Sequence, residues 1–233
     1  RILTVNGIPF NQVRLPGTNW FAYKDSVQAA KHRPLLQANP GSYARILQLV
    51  GAGITEGDSL VCYAPHGSGK SFWARQIALE ATTQGITVIA VVAGERQEDV
   101  RGTRETLPGV IVFGVTGSHS AFHIIRTVEI AAHRAMNYAL SGRRTIFLLD
   151  SATKALVQQI IVNLPPPEGV GSQKGGFNSL ARQAYVLIAS MCGNVEGGGS
   201  LTPISILLDR GPQDTTIIQE GRSTGTNTLC LSF

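Results

Sequence analysis

The feature that constrains the fold most is an apolar strand, a glycine-rich turn and a helix in immediate succession. Residues 59–64 read SLVCYA, the turn at 64–71 reads APHGSGKS, and FWARQIALEA follows with helical character. Glycine and proline punctuate the chain here, so the turn separates two regular elements rather than interrupting one. A strand feeding directly into a helix is typical of an α/β fold.

The same alternation continues along the chain. The apolar segments are near-continuous runs of valine, isoleucine and leucine, as expected when helices cover both faces of a parallel sheet. We therefore predict an α/β domain with a mostly parallel, twisted sheet. The predicted strands are 59–64, 87–94, 109–116, 145–150, 200–209, 215–220 and 226–233, and the predicted helices are 42–50, 70–85, 96–107, 121–142 and 178–195.

Residues 1–41 differ from the rest because they are rich in proline, asparagine and aromatic residues. The stretches RILTV and NWFAY in this segment read as strands. We predict a small β-containing or extended appendage over residues 1–43 and the α/β domain over 44–233. A chain of 233 residues, 43% of them hydrophobic, can bury one large core.

Composition excludes few classes of function. No apolar run reaches the length of a membrane span, so we expect no membrane partner. Cys62, Cys192 and Cys230 are isolated and lack the spacing of metal ligands, which favours buried thiols in a reducing compartment. The net charge of +5 permits an anionic partner such as nucleic acid without requiring one.

The turn at 64–71 has most of the Walker A pattern, with Ala64 in place of the first glycine. Gly67 and Gly69 let successive N–H groups point at phosphate, Lys70 can reach the β/γ oxygens, and the Ser71 hydroxyl can bind Mg²⁺. We predict a site for ATP or another NTP with Mg²⁺. The residues expected to bind the nucleotide are Ala64, Pro65, His66, Gly67, Ser68, Gly69, Lys70, Ser71, Phe72 and Arg96.

Two acidic residues follow apolar strands and complete this prediction. Asp150 ends the strand TIFLLD, as a Walker B aspartate does, and we predict that it holds Mg²⁺ together with Ser71. Glu95 follows TVIAVVAG and is the candidate general base that polarises the attacking water. Arg96 could bond phosphate or a neighbouring subunit. A solvated helix start explains Glu95 equally well from residue chemistry alone.

The segment GVGSQKGG combines Lys174 with residues of very little bulk. A basic side chain on a glycine-rich tether suits contact with a phosphodiester backbone, which needs charge and reach rather than shape. A solvent-exposed loop lysine is the simpler interpretation of the same residues.

Five motifs occur in order between Ala44 and Phe233: ARILQLVGAGITEGDSLVCYAPHGSGKS, GERQEDV, LLDSATKAL, GNVEGGGSLTPISILLD and STGTNTLCLSF. Together they resemble the ATPase domain of transcription termination factor Rho, a RecA-type ring NTPase. The resemblance implies a RecA-like P-loop fold and a homohexamer with nucleotide between subunits. It also implies that Glu95 and Lys70 are catalytic, and that pore loops at Glu168–Phe177 and Arg210–Asp214 contact single-stranded RNA.

The resemblance therefore assigns RNA contact to Gln173, Lys174 and, behind the Walker B strand, Lys154. Its catalytic arginine, supplied by the neighbouring subunit, has no counterpart after the final Leu-Ser, where this chain has Phe233. We expect Arg222 to take that role, with Arg210 as second choice.

Residues 1–43 do not resemble the cold-shock RNA-binding domain that precedes the motor in Rho. The packaging NTPases of double-stranded RNA bacteriophages are similar in kind, since they are compact hexamers with a RecA-like core, a small N-terminal appendage and lysine-bearing pore loops. We therefore predict NTP-driven RNA translocation for packaging into a viral procapsid, in the virion or the host cytoplasm. The alternatives are a Rho-like helicase or terminator, a small-molecule P-loop kinase, a RecA-like DNA-strand protein and a nucleotide-binding subunit without turnover.

Overall fold

The computed structural model describes residues 4–5, 8–9, 27–28, 34–45, 53–155, 186, 188–209, 211, 218–219, 222 and 227–230. The strands are β1 (Thr4–Val5), β2 (Ile8–Pro9), β3 (Val27–Gln28), β4 (Leu60–Ala64), β5 (Thr87–Glu95), β6 (Ile111–Thr116), β7 (Arg144–Asp150), β8 (Gly193–Val195), β9 (Ser200–Leu208) and β10 (Asn227–Cys230). The helices of ten or more residues are α1 (Lys70–Thr83), α2 (Gln97–Thr106) and α3 (Ala121–Leu140).

Most of the strands form one sheet. Its order is β10-β4-β9-β7-β5-β6, and every neighbouring pair along this path is parallel. In addition, β8 pairs antiparallel with the first residues of β9, and β3 pairs antiparallel with β8. β1 and β2 form a separate two-stranded antiparallel sheet. The predicted mostly parallel α/β fold is confirmed.

Helices cover both faces of this sheet, and each face has its own core. Successive side chains of a strand point to opposite faces. In β5, accordingly, Ile89 and Val91 pack with Ile124 of α3, whereas Val88 packs with Ile77 of α1. The burial of both faces explains why the central strands are continuous apolar runs rather than alternating ones.

The topology brings the carboxyl ends of four strands to one edge. β4 and β7 are separated by β9, whose Leu208 is paired with Ala64, and Asp150 of β7 lies opposite Val92 of β5. Parallel strands end at the same edge, so the residues that follow them meet there. The glycine-rich turn, Glu95 and Asp150 therefore share one side of the sheet.

Two predicted elements are wrong in the part of the chain that the structure describes. The helix predicted over 178–195 does not extend to its end, because Gly193–Val195 is strand β8. A tight turn follows, in which Val195 N donates to Gly199 O at 2.7 Å, and the glycines of this turn disfavour a helix. Within the strand predicted over 215–220, Ile218 and Gln219 are helical. Its paired isoleucines suggested a strand, yet Ile218 is both helical and buried.

Several other predictions lie partly or wholly outside the described residues. Of the helix predicted over 42–50, only the first half is described, and Tyr43–Arg45 is helical. The stretch NWFAY and the glycine-rich loop at 165–177 are not described. Of the described helices, none has the length and apolarity to cross a membrane.

The N-terminal segment contributes to the domain at two places. β3 joins the large sheet through β8, and Leu35 and Leu36 are buried in the core that α1 covers. Arg144, at the start of β7, donates to Leu35 O at 2.7 Å and forms an ion pair with the buried Glu56. The domain boundary at residue 43 stays a prediction.

Candidate nucleotide site

The glycine-rich turn between β4 and α1 has an open backbone. Gly67 and Gly69 have φ angles of +79° and +76°, and a Cβ at either position would meet no other atom within 4 Å. Gly69 is the N-cap of α1, so the first N–H groups of this helix face the turn without a capping side chain. Exposed N–H groups at a positive helix end form an anion site, as Walker A requires.

A cleft of about 390 Å³ opens beside this turn. Its walls come from the glycine-rich turn, the N-terminal part of α1, the ends of β5, β7 and β9, the start of α2 and the segment after β7. The lining residues are His66, Gly67, Gly69, Lys70, Ser71, Phe72, Arg75, Val92, Glu95, Asp99, Asp150, Ser151, Lys154 and Leu208. The cleft therefore unites the two predicted catalytic residues of this region, the two predicted Mg²⁺ ligands and most of the predicted phosphate loop.

Asp150 lines this cleft and is only 8% exposed. Burial raises the pKa of its carboxyl group above the ordinary value, while a hydrogen bond with the Ser71 side chain opposes that shift. Oxygen ligands of this kind suit Mg²⁺, which binds one or two protein groups together with waters and phosphate oxygens. Among the described residues, no group of three His, Cys, Asp or Glu could hold a metal, so nucleotide oxygens would have to complete the shell.

Lys70 lies at the start of α1, where its ammonium nitrogen donates to Pro65 O at 3.0 Å. Burial lowers the pKa of Lys70, and the negative charges of Asp150 and Glu95 partly oppose this shift. The carbonyl of Pro65 also accepts from Ser68 Oγ at 2.7 Å, which fixes the start of the turn. The lysine is thus held beside the loop that would carry the phosphates.

Glu95 is aimed into the cleft by an irregularity in β5. Its ladder with β6 shifts register between Ala93, opposite Val115, and Glu95, opposite Thr116. The residue in between, Gly94, has φ +72°, so it forms a glycine bulge. Bulges next to active sites change the direction of the following side chain.

Lys154 contacts Glu95 directly. Its ammonium nitrogen lies 2.6 Å from Glu95 Oε1, and the two side chains are 38% and 27% exposed. Lys154 follows β7 in the segment that begins with a cis peptide bond between Asp150 and Ser151. The hydroxyl of Thr153 accepts from Leu208 N at 2.9 Å and ties this segment to the end of β9.

The remaining predicted residues lie elsewhere. Arg96 is exposed at the N-cap of α2 and does not line the cleft. Arg222 is itself helical and exposed, and it is also absent from the lining. Gln173, Lys174 and Arg210 lie outside the described residues. Lys154, for which we expected RNA contact, lines the nucleotide cleft.

Five lining residues were not predicted, namely Arg75, Val92, Asp99, Ser151 and Leu208. Arg75 lies one helical turn after Ser71, a spacing that could have indicated it. Asp99 lies in the first turn of α2, and Ser151 follows Asp150 directly. Leu208 had no sequence signal, because its place depends on the insertion of β9 between β4 and β7.

The chain is similar in sequence to transcription termination factors. It is 27% identical over 191 residues to Rho 1 of Ehrlichia chaffeensis, covering 80% of this chain and 44% of that protein. Rho of Streptosporangium roseum is 28% identical over 193 residues, covering 81% of this chain and 49% of that protein. Rho of Akkermansia muciniphila is 30% identical over 166 residues, covering 70% of this chain and 34% of that protein. The chain thus spans less than half the length of these relatives.

A solved structure is similar in fold. It is an ATPase from the type III secretion system of pathogenic bacteria, with a TM-score of 0.67 and 20% identity over 77% of this chain and 52% of that one. No protein-family model matches the chain. The chain has a RecA-like ATPase fold, and its similarity to several Rho proteins supports a place among the Rho-like, RecA-type ATPases.

Proposed function

We propose that this chain is the motor domain of a ring-forming NTPase that moves single-stranded RNA. The observation that carries this proposal is the convergence of Lys70, Ser71, Asp150 and Glu95 on one cleft at the carboxyl edge of a RecA-like sheet. Three of these residues match the needs of a nucleotide with its Mg²⁺, and the fourth is a carboxylate that lines the same cleft.

In this proposal the N–H groups around Gly67 and Gly69 and the Lys70 ammonium bind the phosphates. Ser71 and Asp150 would hold Mg²⁺, which would supply positive charge to offset that of the phosphates. Glu95 accepts a proton from water as the water oxygen bonds to the γ-phosphorus. The bond from that phosphorus to the bridging oxygen breaks, and the leaving diphosphate keeps the electron pair.

Phe72 is our candidate for contact with the nucleotide beyond its phosphates. It is 58% exposed at the cleft and meets the Tyr43 ring edge-on, with 6.2 Å between ring centroids. Base stacking on an aromatic ring stabilises a complex by roughly 1–3 kcal/mol. We expect Phe72→Ala to raise KM for ATP about tenfold with kcat little changed. Leu140→Ala, at an exposed site on α3, is the matched control, and equal KM values would contradict the contact.

The substrate and the assembly are finer parts of the proposal. The Rho relatives are named as transcription termination factors, and from this similarity we infer RNA as the polymer and a homohexamer as the ring. Gln173 and Lys174 are the proposed RNA contacts, and Arg222 or Arg210 the arginine from the neighbouring subunit. Packaging into a viral procapsid is the biological setting we favour, because the lysine-bearing glycine-rich loop and the EGRS segment resemble features of phage packaging NTPases.

The decisive experiment measures NTP hydrolysis with and without single-stranded RNA, on protein whose mass in solution is known. We expect a hexamer whose turnover rises with RNA and is abolished by Lys70→Ala. A monomer or dimer that ignores RNA would contradict the motor and favour a small-molecule kinase or a passive nucleotide-binding subunit.

A Rho-like helicase is the second candidate, because the described sequence relatives are Rho proteins. Unwinding of an RNA–DNA duplex by the purified hexamer would favour this function. Transport of RNA into procapsids without duplex unwinding would favour packaging.

A further inference from the structure

The Glu95–Lys154 ion pair is an unusual feature of this cleft. Pairs between partly exposed side chains contribute only about 0–1 kcal/mol to stability, so stability alone gives little reason for it. Yet the backbone is shaped around it. A Cβ on Gly94 would lie 3.1 Å from both Cβ and Cδ of Lys154, which means that the lysine stem crosses directly over the bulge.

The bulge at Gly94 and the side chain of Lys154 therefore fit each other. The positive φ of Gly94 redirects β5 so that Glu95 faces the cleft, and the missing side chain of Gly94 leaves room for the lysine stem. A second tie comes from Gly117, whose N–H donates to Glu95 O at 3.2 Å. The main chain of Glu95 is thus fixed, and its carboxylate is directed by Lys154.

The charges of the cleft show what competes for Lys154. Lys70, Arg75 and Lys154 line it together with Glu95, Asp99 and Asp150, so cations and acids are balanced. The ammonium groups of Lys70 and Lys154 both bind protein oxygens, of Pro65 and Glu95 respectively. A nucleoside triphosphate brings several negative charges into the same cleft, and at contact distance these charges attract an ammonium group strongly.

We propose that Lys154 is a positioning residue that alternates between the Glu95 carboxylate and the terminal phosphate of a bound nucleoside triphosphate. When Lys154 moves to the phosphate, Glu95 is released to accept the proton of the attacking water. The ion pair thereby makes the candidate base respond to the third phosphate. This inference rests on the proposed function and assigns Lys154 to the nucleotide rather than to RNA.

The test is a double-mutant cycle on binding, with Glu95→Gln, Lys154→Gln and the double variant. The probes are ADP and a non-hydrolysable ATP analogue, each with Mg²⁺. Glu95→Gln should bind the ATP analogue about tenfold more tightly, because it leaves Lys154 available to the terminal phosphate, and ADP affinity should stay the same. In the double variant this gain should disappear.

Further variants separate positioning from structure. Lys154→Gln should lower kcat about 100-fold, and Lys154→Arg should restore most of it. Arg126→Gln is the matched control, since it removes the cation of another partly exposed pair, with Glu129 at 2.7 Å and 39% and 43% exposure. The control should leave both affinities unchanged. The melting temperature of Lys154→Gln should stay close to that of the wild type.

Each failure has its own signature. Additive effects of the two substitutions on binding of the ATP analogue, in a protein that hydrolyses ATP, would overturn the inference and leave the proposed function intact. Loss of RNA affinity in Lys154→Gln, with unchanged nucleotide binding and RNA-free turnover, would overturn it in favour of RNA contact. A wild-type protein that neither binds nor hydrolyses nucleotides would overturn the proposed function itself.

Discussion

At the scale of single residues, the cleft holds a carboxylate whose charge opposes folding. Burial raises the pKa of Asp150, so the folded protein favours its neutral form more than the unfolded chain does. The contribution of this group to stability is full below the unfolded pKa and is lost as pH rises through the folded pKa. At neutral pH the buried carboxylate is therefore a cost that Mg²⁺ binding would offset.

Asp150→Asn should remove that cost and the metal ligand together. We expect turnover with Mg²⁺ to fall by more than about 100-fold, in the range seen when one electrostatic group is removed from an active site. In the absence of nucleotide, the melting temperature at pH 7 should be higher than that of the wild type. Thermal unfolding followed from acidic to neutral pH should show the two proteins converging at low pH. A variant less stable at pH 7 would contradict this account of the buried charge.

Residue chemistry also explains which site residues could be predicted. Lys70 and Ser71 belong to a loop before a helix, and Asp150 ends a strand. The geometry of both motifs is local, so the sequence was sufficient to place these residues at one site. The pairing of Glu95 with Lys154 depends on a register shift between β5 and β6, and no residue pattern encodes it. The sequence therefore indicated both residues as candidates for function, but it predicted RNA rather than Glu95 as the partner of Lys154.

At the scale of elements, the bulge at the end of β5 links the fold to the chemistry. Gly94→Ala should disturb this bulge in two ways. Alanine adopts the positive φ of this position poorly, and its Cβ would be in close contact with the Lys154 side chain. Gly85→Ala is the matched control. Gly85 has φ +74° but open space around its Cβ position, and it lies in the turn between α1 and β5, away from the cleft.

Both alanine variants should lose about 1–2 kcal/mol of stability from the backbone alone. In a domain of this size each kcal/mol lowers the melting temperature by roughly 2–4 °C. Only Gly94→Ala should also lose turnover, by about tenfold or more, because Glu95 and Lys154 would move apart. Parallel measurements of melting temperature and kcat check this. Equal kcat values for the two variants would show that the bulge does not position the base.

Element types followed from the sequence wherever burial was uniform. The runs in β5, β7 and β9 are buried on both faces and read clearly as strands, and the apolar spacing of α3 is helical. The β8 region was predicted as helix, since its strand is three residues long and is formed by pairing with β3 and β9. Such pairing partners are distant in sequence, and local pattern does not contain them.

At the scale of the whole molecule, the insertion of β9 between β4 and β7 determines the shape of the cleft. It separates the phosphate loop from the Walker B strand by one strand, so that Ser71 and Asp150 approach from the two sides. Strand order is a long-range property and could not be worked out from the spacing of the strands. The sequence resemblance to ring ATPases supplied the expected fold instead.

The cleft is also open, and the proposed arginine does not line it. Arg222 is exposed and is not among the lining residues. In a ring, each cleft would be completed by the arginine of the next subunit, which would stabilise charge on the transferring phosphoryl group. Such an arginine typically contributes about 10³–10⁵ to kcat, so Arg222→Ala should be nearly inactive while it still binds nucleotide.

Mixing two inactive variants tests whether this contribution comes from a neighbour. Arg222→Ala subunits keep Lys70, and Lys70→Ala subunits keep Arg222. In a random one-to-one mixture roughly a quarter of the interfaces would combine an intact Lys70 with an intact Arg222 across the subunit boundary. Hydrolysis should therefore reappear on mixing, although each variant alone is inactive. Native mass spectrometry would verify that the rings contain both variants. Mixed rings without recovered turnover would exclude Arg222 as the residue that acts across the interface, and the same experiment with Arg210→Ala would then test the second choice.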